Sequence, residues 1–210
     1  MQLTDKIQIT NEDNMLLMAR YPDNYFDLAI VDPPYGMGDV SKFTPRKTNC
    51  AKNKIHKETK WNDETPKDEY WAELFRVSKN QIIWGGNYFA LPTNKCFIIW
   101  DKLQPEGISF AMAEYAWASF DKVAKICKQR TQGQEQRFHP TQKPIKLYEW
   151  LLMNYAEKGD KILDTHLGSG SIAIACDKTD FDLVACELDT GYYNKALKRL
   201  KIHQQQLTMF

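Results

Sequence analysis

The sequence contains no long hydrophobic run, since its longest apolar stretches, such as Leu28–Val31 and Phe97–Trp100, hold four to five residues. A membrane-spanning helix needs about 20, so we expect no membrane span. Residues Met1–Asn11 lack a basic region followed by an apolar core, which argues against a secretory signal. The expected location is therefore the cytoplasm.

Cysteine and histidine are also too dispersed to form a recognisable site. The five cysteines include no C-x-x-C pair, and an odd number does not suggest a disulfide framework. The four histidines lack the spacing of zinc ligands. We therefore predict reduced thiols and no metal.

Positive charge is concentrated in two segments, although the net charge of the whole chain is only +1. Val40–Lys60 and Lys122–Lys146 each contain seven Lys or Arg residues and one acidic residue. Such segments are either solvated loops or phosphate-binding surfaces. The motifs described below favour contact with phosphate.

A length of 210 residues with 43% hydrophobic side chains predicts one domain, residues 1–210. Basic loop insertions are expected at about 36–67 and 121–138. Periodicity predicts helices at Asn11–Arg20, Asp68–Ser78, Pro144–Tyr155, Ile172–Lys178 and Lys195–His203. It predicts strands at Ile7–Ile9, Phe26–Val31, Gln81–Trp84, Cys96–Trp100, Tyr115–Phe120, Lys161–Leu163 and Leu183–Cys186.

The strand, helix and strand near the C-terminus form a βαβ unit, which implies a parallel sheet with a right-handed crossover. The turn after its first strand has a G-x-G pattern, Gly168-Ser169-Gly170. Alone this pattern is weak evidence for a nucleotide-like ligand. Glu187, at the end of the next strand, strengthens it because a carboxylate there can accept hydrogen bonds from ribose hydroxyls.

A second motif, Asp32-Pro33-Pro34-Tyr35, directly follows a buried strand. An ordinary proline turn would explain D-P-P by itself. With the tyrosine, the motif resembles the D-P-P-Y signature of amino methyltransferases that act on DNA. Its position before the G-x-G turn is similar to the permuted beta group of those enzymes. The segment 139–144, H-P-T-Q-K-P, is the most specific match.

The resemblance implies an α/β, Rossmann-like methyltransferase fold with a mostly parallel sheet, helices on both faces and a circularly permuted motif order. It implies S-adenosylmethionine as cofactor and double-stranded DNA with a flipped-out base as partner. It allows a cognate restriction endonuclease and a homodimer, in a bacterial or phage-infected cell. The two basic loops would then recognise the target.

The resemblance also assigns roles to individual residues. Asp32 and the Pro33 carbonyl would accept hydrogen bonds from the target amino group, Pro34 would fix the approach of Tyr35, and the base would stack on Tyr35. Cofactor contacts would come from Asp13, Asp32, Thr141, Lys143, Asp164, Leu167, Gly168, Ser169, Gly170 and Glu187. Asp13 is equally well explained as a helix N-cap.

The cofactor turn departs from the family pattern, which usually has proline, phenylalanine and threonine where this chain has Thr165, His166 and Ser171. This departure suggests one alternative, a nucleic-acid-binding relative with impaired catalysis. We assign Trp84, Trp100 and Trp117 to the core. Trp61 has no single assignment, because it could either stack on a base or cover the basic loop.

The target base is expected to be adenine, methylated at N6. Cytosine N4 methylation uses the same chemistry, but family members of that type more often have serine in place of Asp32. An RNA or protein-amide methyltransferase is a further alternative. Cytosine C5 methylation is excluded because none of the cysteines follows a proline.

Overall fold

A central eight-stranded sheet organises the part of the chain that the structure, a computed structural model, describes: residues 6–38, 62–107, 111–131 and 138–207. The strands are β1 (Ile7–Thr10), β2 (Phe26–Val31), β3 (Ser78–Trp84), β4 (Phe97–Asp101), β5 (Ala113–Ala118), β6 (Lys125–Lys128), β7 (Lys161–Asp164) and β8 (Asp182–Cys186). The helices are α1 (Asn14–Met18), α2 (Asp68–Val77), α3 (Ile145–Tyr155), α4 (Ser171–Thr179) and α5 (Thr190–Leu207).

The strand order is β1-β8-β7-β2-β3-β5-β4-β6. All neighbouring pairs are parallel except those that involve β5, which runs antiparallel to both β3 and β4. The predicted mostly parallel sheet is therefore confirmed.

Helices cover both faces of the sheet, as predicted. Buried side chains of α3, α4 and α5 pack into one hydrophobic cluster with the sheet, and those of α1 and α2 pack into another. Trp84, Trp100 and Trp117 are buried in these clusters, as expected for core residues. No helix in the described ranges is long and apolar enough to cross a membrane.

Several predicted boundaries need correction. The segment 121–138 is not a continuous loop, because β6 lies within it and pairs with β4 at the edge of the sheet. The first helix is shorter than predicted because Asp13 caps it, and the last begins already at Thr190. Trp61 and the whole of the first basic segment, Val40–Lys60, lie outside the described residues.

The topology brings both motifs to one edge of the sheet. β2 and β7 are neighbours, with Ala29 opposite Leu163, and β8 is the next strand beyond β7. Because parallel strands end at the same edge, the loops that follow β2, β7 and β8 converge there. This explains why residues far apart in the chain meet in one site.

Candidate active site

A cavity of about 620 Å³ opens at this edge of the sheet, within the range of about 300–1,000 Å³ typical of small-molecule sites. The predicted site residues that line it are Asp13, Asp32, Pro34, Thr141, Lys143, Leu167, Gly168, Ser169 and Glu187. Asp32 and the glycine turn therefore meet across one cavity. The cavity wall does not include Pro33, Tyr35, Asp164 or Gly170.

Negative charge dominates the cavity wall. Its basic side chains are Lys67 and Lys143. Its acidic side chains are Glu12, Asp13, Asp32, Glu64, Glu69, Glu187 and Asp189. This balance suits a positively charged ligand and disfavours an anion such as a phosphate.

Glu187 holds the glycine turn through its carboxylate. The backbone N–H of Gly168 donates to Oε2 over 2.8 Å, and that of Asp189 donates to Oε1 over 2.9 Å. Burial raises the pKa of Glu187, although these backbone hydrogen bonds oppose the shift. Each carboxylate oxygen keeps a second lone pair, so Glu187 can still accept a hydrogen bond from a ligand hydroxyl.

Gly170 and Asp164 support the turn from behind rather than facing the cavity. Gly170 has φ +73, and an added Cβ there would lie 3.1 Å from Cβ of Ala196 on α5. Asp164 accepts a 2.9 Å hydrogen bond from the backbone N–H of His166, and burial raises its pKa to about 8.

The unusual residues of the turn form a polar network. The hydroxyls of Tyr70 and Thr165 are 2.7 Å apart, and Thr165 Oγ1 lies 2.9 Å from Nδ1 of His166. Nε2 of His166 lies 3.2 Å from Nδ2 of Asn14. Burial lowers the pKa of His166 to about 4. The neutral ring in the tautomer that donates from Nδ1 and accepts at Nε2 satisfies both neighbours.

Both carboxylate oxygens of Asp32 have partners. The Tyr35 hydroxyl donates to Oδ1 over 2.5 Å, and the Lys143 ammonium donates to Oδ2. Burial, followed by the nearby Asp32 charge, raises the pKa of Tyr35 well above its ordinary value. The Asp32 side chain is thus held in place at the cavity wall.

The loop after Asp32 is fixed by Asn62, a buried residue that the sequence did not single out. Its Oδ1 accepts a 2.8 Å hydrogen bond from the backbone N–H of Tyr35, and its Nδ2 donates to the Gly38 carbonyl over 3.0 Å. The ring of Tyr35 stacks on that of Tyr88, with centroids 4.8 Å apart and planes tilted by 18°. Tyr88 therefore covers one face of the Tyr35 ring.

Asp13 is the N-cap of α1 and also lies at the cavity wall. Its carboxylate caps α1 by accepting a 2.8 Å hydrogen bond from the backbone N–H of Met15, and it also lines the cavity. In the H-P-T-Q-K-P segment, Thr141 Oγ1 lies 3.2 Å from Nδ1 of His139. The Lys143 carbonyl accepts from the Ser171 hydroxyl over 2.7 Å, which ties this segment to the start of α4.

Comparison with known proteins agrees with this architecture. A family model described as DNA methylase matches residues 45–198. The type II methyltransferase M2.MboI of Moraxella bovis is 26% identical over 143 residues, which cover 66% of this chain and 47% of the relative. The chain thus spans about half the length of that relative.

Solved structures show the same fold. The M1.HpyAVI–SAM complex superposes with a TM-score of 0.60 at 18% identity, over 92% of this chain and 98% of that one. The PvuII DNA methyltransferase, which is cytosine-N4-specific, superposes with a TM-score of 0.62 at 11% identity, over 97% and 93% of the two chains. The predicted Rossmann-like methyltransferase fold is confirmed.

Proposed function

This chain belongs to the DNA methylase family, and from that premise we propose that it transfers a methyl group from S-adenosylmethionine to the exocyclic N6 of adenine in DNA. The observation that carries the proposal is the shared cavity: the D-P-P-Y carboxylate, Asp32, faces the same space as the glycine turn at Gly168. An acceptor site and a cofactor site must adjoin for direct transfer between them.

The cavity fits the cofactor in size and charge. Its volume of about 620 Å³ accommodates a small molecule, and its acidic wall favours a cationic sulfonium. When bound, S-adenosylmethionine supplies an electrophilic methyl group on that sulfonium. Glu187 is the proposed ribose acceptor, because its partly shielded carboxylate lies beside the turn that would approach the ligand.

The proposed residues hold the remainder of the cofactor as the family resemblance implies. Leu167, Gly168 and Ser169 present the turn to the ligand, and Asp13 contacts its adenine side. Thr141 and Lys143 lie towards its methionine end. Asp164 and Gly170 act indirectly, by shaping the turn from behind.

Asp32 makes the target nitrogen reactive. The lone pair of an exocyclic amino group is delocalised into the ring, so the amine is a poor nucleophile. Hydrogen bonds from the amino group to the Asp32 carboxylate, and to the Pro33 carbonyl as the family resemblance implies, favour tetrahedral nitrogen and free the lone pair. Pro34 and Tyr35 fix the geometry of this loop, and the hydrogen bond from Tyr35 to Asp32 holds the carboxylate at the cavity wall.

The target base must be flipped out of the double-stranded DNA, because its amino nitrogen is paired inside the duplex. The basic segments, which include the edge strand β6, are the proposed DNA contacts. Lys143 is an exception within its segment, because its ammonium is buried against Asp32 and cannot reach a phosphate. A restriction endonuclease that reads the same sequence is a proposed functional partner.

The choice of adenine rests on Asp32, since N4-cytosine enzymes more often have serine at this position. Mass spectrometry of nucleosides tests it directly. DNA from methylation-deficient cells is incubated with the protein and S-adenosylmethionine, then digested. We expect N6-methyladenine. N4-methylcytosine alone would overturn the adenine assignment, and the absence of any methylated base would overturn the proposed function.

A further inference from the structure

A series of alternating charges extends from Asp32 along the carboxyl edge of the sheet. The Lys143 ammonium is ion-paired with Asp32 and, over 3.3 Å, with Glu114 Oε2. Glu114 in turn accepts from Lys102 over 2.6 Å. The site described above uses Asp32 and Lys143, whereas Glu114 does not line the cavity.

The sheet places Glu114 at this edge. It lies near the start of β5, opposite Trp100 of β4. Because β5 runs antiparallel to β3, its first residues lie where β3 ends, close to the loop that carries Asp32. A strand is a rigid support, so the Glu114 carboxylate has a fixed position relative to the site.

Lys143 needs both carboxylates. Its side chain is only 3% exposed, and a buried ammonium loses most of its hydration. Its surroundings include the face of Trp84, with the centroid 5.1 Å from Nζ. Although burial lowers the pKa of Lys143, the charges of Asp32 and Glu114 outweigh it and raise the pKa above its ordinary value.

We propose that Glu114 is a positioning residue for methyl transfer: it holds the Lys143 ammonium and shares its charge, so that Asp32 keeps its strength as a hydrogen-bond acceptor. This inference rests on the proposed function. An ammonium bound to Asp32 alone would concentrate its charge on the oxygen atoms that the target amino group must use. A second carboxylate divides that charge between two acceptors.

The other charged or titratable groups around Lys143 do not replace Glu114. Asp164, from the end of β7, is buried behind the turn, and burial raises its pKa to about 8, which disfavours its charged form. Tyr35 and Tyr148 have pKa values raised by burial and stay neutral. Lys102 adds positive charge next to Glu114 and so cannot compensate for its loss.

The variant Glu114→Gln tests the inference because it removes the charge and nearly keeps the shape. Under single-turnover conditions we expect methyl transfer to slow about tenfold. The Lys143 ammonium also holds the Asp32 carboxylate in its orientation, so activity should fall at high pH when Lys143 loses its proton. In Glu114→Gln we expect this fall to begin about one pH unit lower, because Lys143 loses its proton more easily. Affinity for S-adenosylmethionine should change less than about twofold.

Matched variants separate positioning from general damage. Asp180→Asn removes an exposed carboxylate that pairs with Lys6 on the surface, outside the basic segments, and both its rate and its pH profile should equal those of wild type. Glu114→Asp keeps the charge, so its pH profile should lie closer to wild type than that of Glu114→Gln. If Glu114→Gln does not fold, Glu114→Asp serves as the test variant instead. Its shorter side chain should still lower the rate of methyl transfer.

A second measurement does not depend on activity. In the cofactor-free protein with ¹³C-labelled lysine, the Lys143 Cε signal reports its protonation. Glu114→Gln should lower the midpoint of that titration by about one pH unit. An unchanged midpoint together with an unchanged rate would overturn the inference. Failure of the wild-type protein to methylate DNA would instead overturn the proposed function, while the titration would still decide whether Glu114 controls Lys143.

Discussion

The ammonium of Lys143 is paired with the carboxylate of Asp32, 111 positions earlier in the chain. Asp32 directly follows β2, and Lys143 lies two residues before the start of α3. Their contact joins the D-P-P-Y loop to the H-P-T-Q-K-P segment. The two most specific motifs of the sequence are therefore parts of one site, and Asp32 reaches the cavity with its orientation already fixed.

The first prediction concerns cofactor affinity. Glu187→Gln keeps the shape of the side chain but removes the charge that the ribose hydroxyls would meet. We expect the dissociation constant of S-adenosylmethionine to rise about tenfold, since a hydrogen bond to a charged group contributes about 1.5–3 kcal/mol. Isothermal titration calorimetry measures this constant.

Asp180→Asn is the control for that measurement. Asp180 pairs with Lys6 over 2.6 Å on the surface, and asparagine tolerates its φ of +64. Its affinity for S-adenosylmethionine should equal that of wild type. Equal affinity in Glu187→Gln as well would exclude Glu187 as a cofactor ligand.

The second prediction concerns the room that Gly85 leaves for Tyr35. An added Cβ at Gly85 would lie 2.2 Å from Cε1 of Tyr35, at a φ of +68. Gly107 has a similar φ of +81, but no described atom lies within 4 Å of an added Cβ. Gly85→Ala should therefore cost about 1–3 kcal/mol more than Gly107→Ala, and it should also slow methyl transfer by displacing Tyr35.

Denaturant unfolding and single-turnover rates of the two alanine variants check this prediction. Both variants place alanine at a positive φ and carry that cost. The difference between their unfolding free energies therefore isolates the contact with Tyr35. Equal stabilities would show that Tyr35 moves aside without cost.

The third prediction concerns pH and the His166 network. The pKa of His166 is about 4 in the folded protein and about 6.5 when unfolded. The unfolded state therefore binds a proton first as pH falls, and folding loses stability between about pH 6.5 and pH 4. Because phenylalanine does not titrate, His166→Phe should not show this loss of folding stability at low pH.

Unfolding free energies at several pH values test that linkage. Between about pH 6.5 and 5, wild type should lose on the order of 1–2 kcal/mol more than His166→Phe. The titration of Asp164 is common to both proteins and largely cancels in the difference. Parallel curves for the two proteins would show that His166 does not titrate as its burial indicates.

Most of the fold could be predicted from sequence because its buried strands and the βαβ unit have clear periodicity. β6 was missed since its four residues, Lys125–Lys128, form an exposed edge where only Cys127 is buried. The lysines of this segment therefore made it resemble a charged loop in the sequence. Both bounds of α1 also differ from the prediction. The helix starts later because Asp13 caps it, and it ends earlier, with only Leu17 and Met18 buried.

The candidate site was partly predictable for a similar reason. Motifs identify residues by local pattern, and Asp32, Gly168 and Glu187 each stand in such a pattern. Asn62 and Glu114 have none, since their roles arise from contacts across the sheet. The available signal for Glu114 is a charged residue at the start of a strand that begins beside a motif, but this signal can be read only when the strand order is known.

Asp32→Asn provides the most direct test of the central claim, that Asp32 and the glycine turn form one methyl-transfer site. The variant keeps the side-chain shape and removes the charge that accepts the amino hydrogens. On one preparation, the variant should still bind S-adenosylmethionine while single-turnover methylation of DNA falls by about 10² to 10³ or more. A variant that transfers methyl groups at the wild-type rate would contradict the claim.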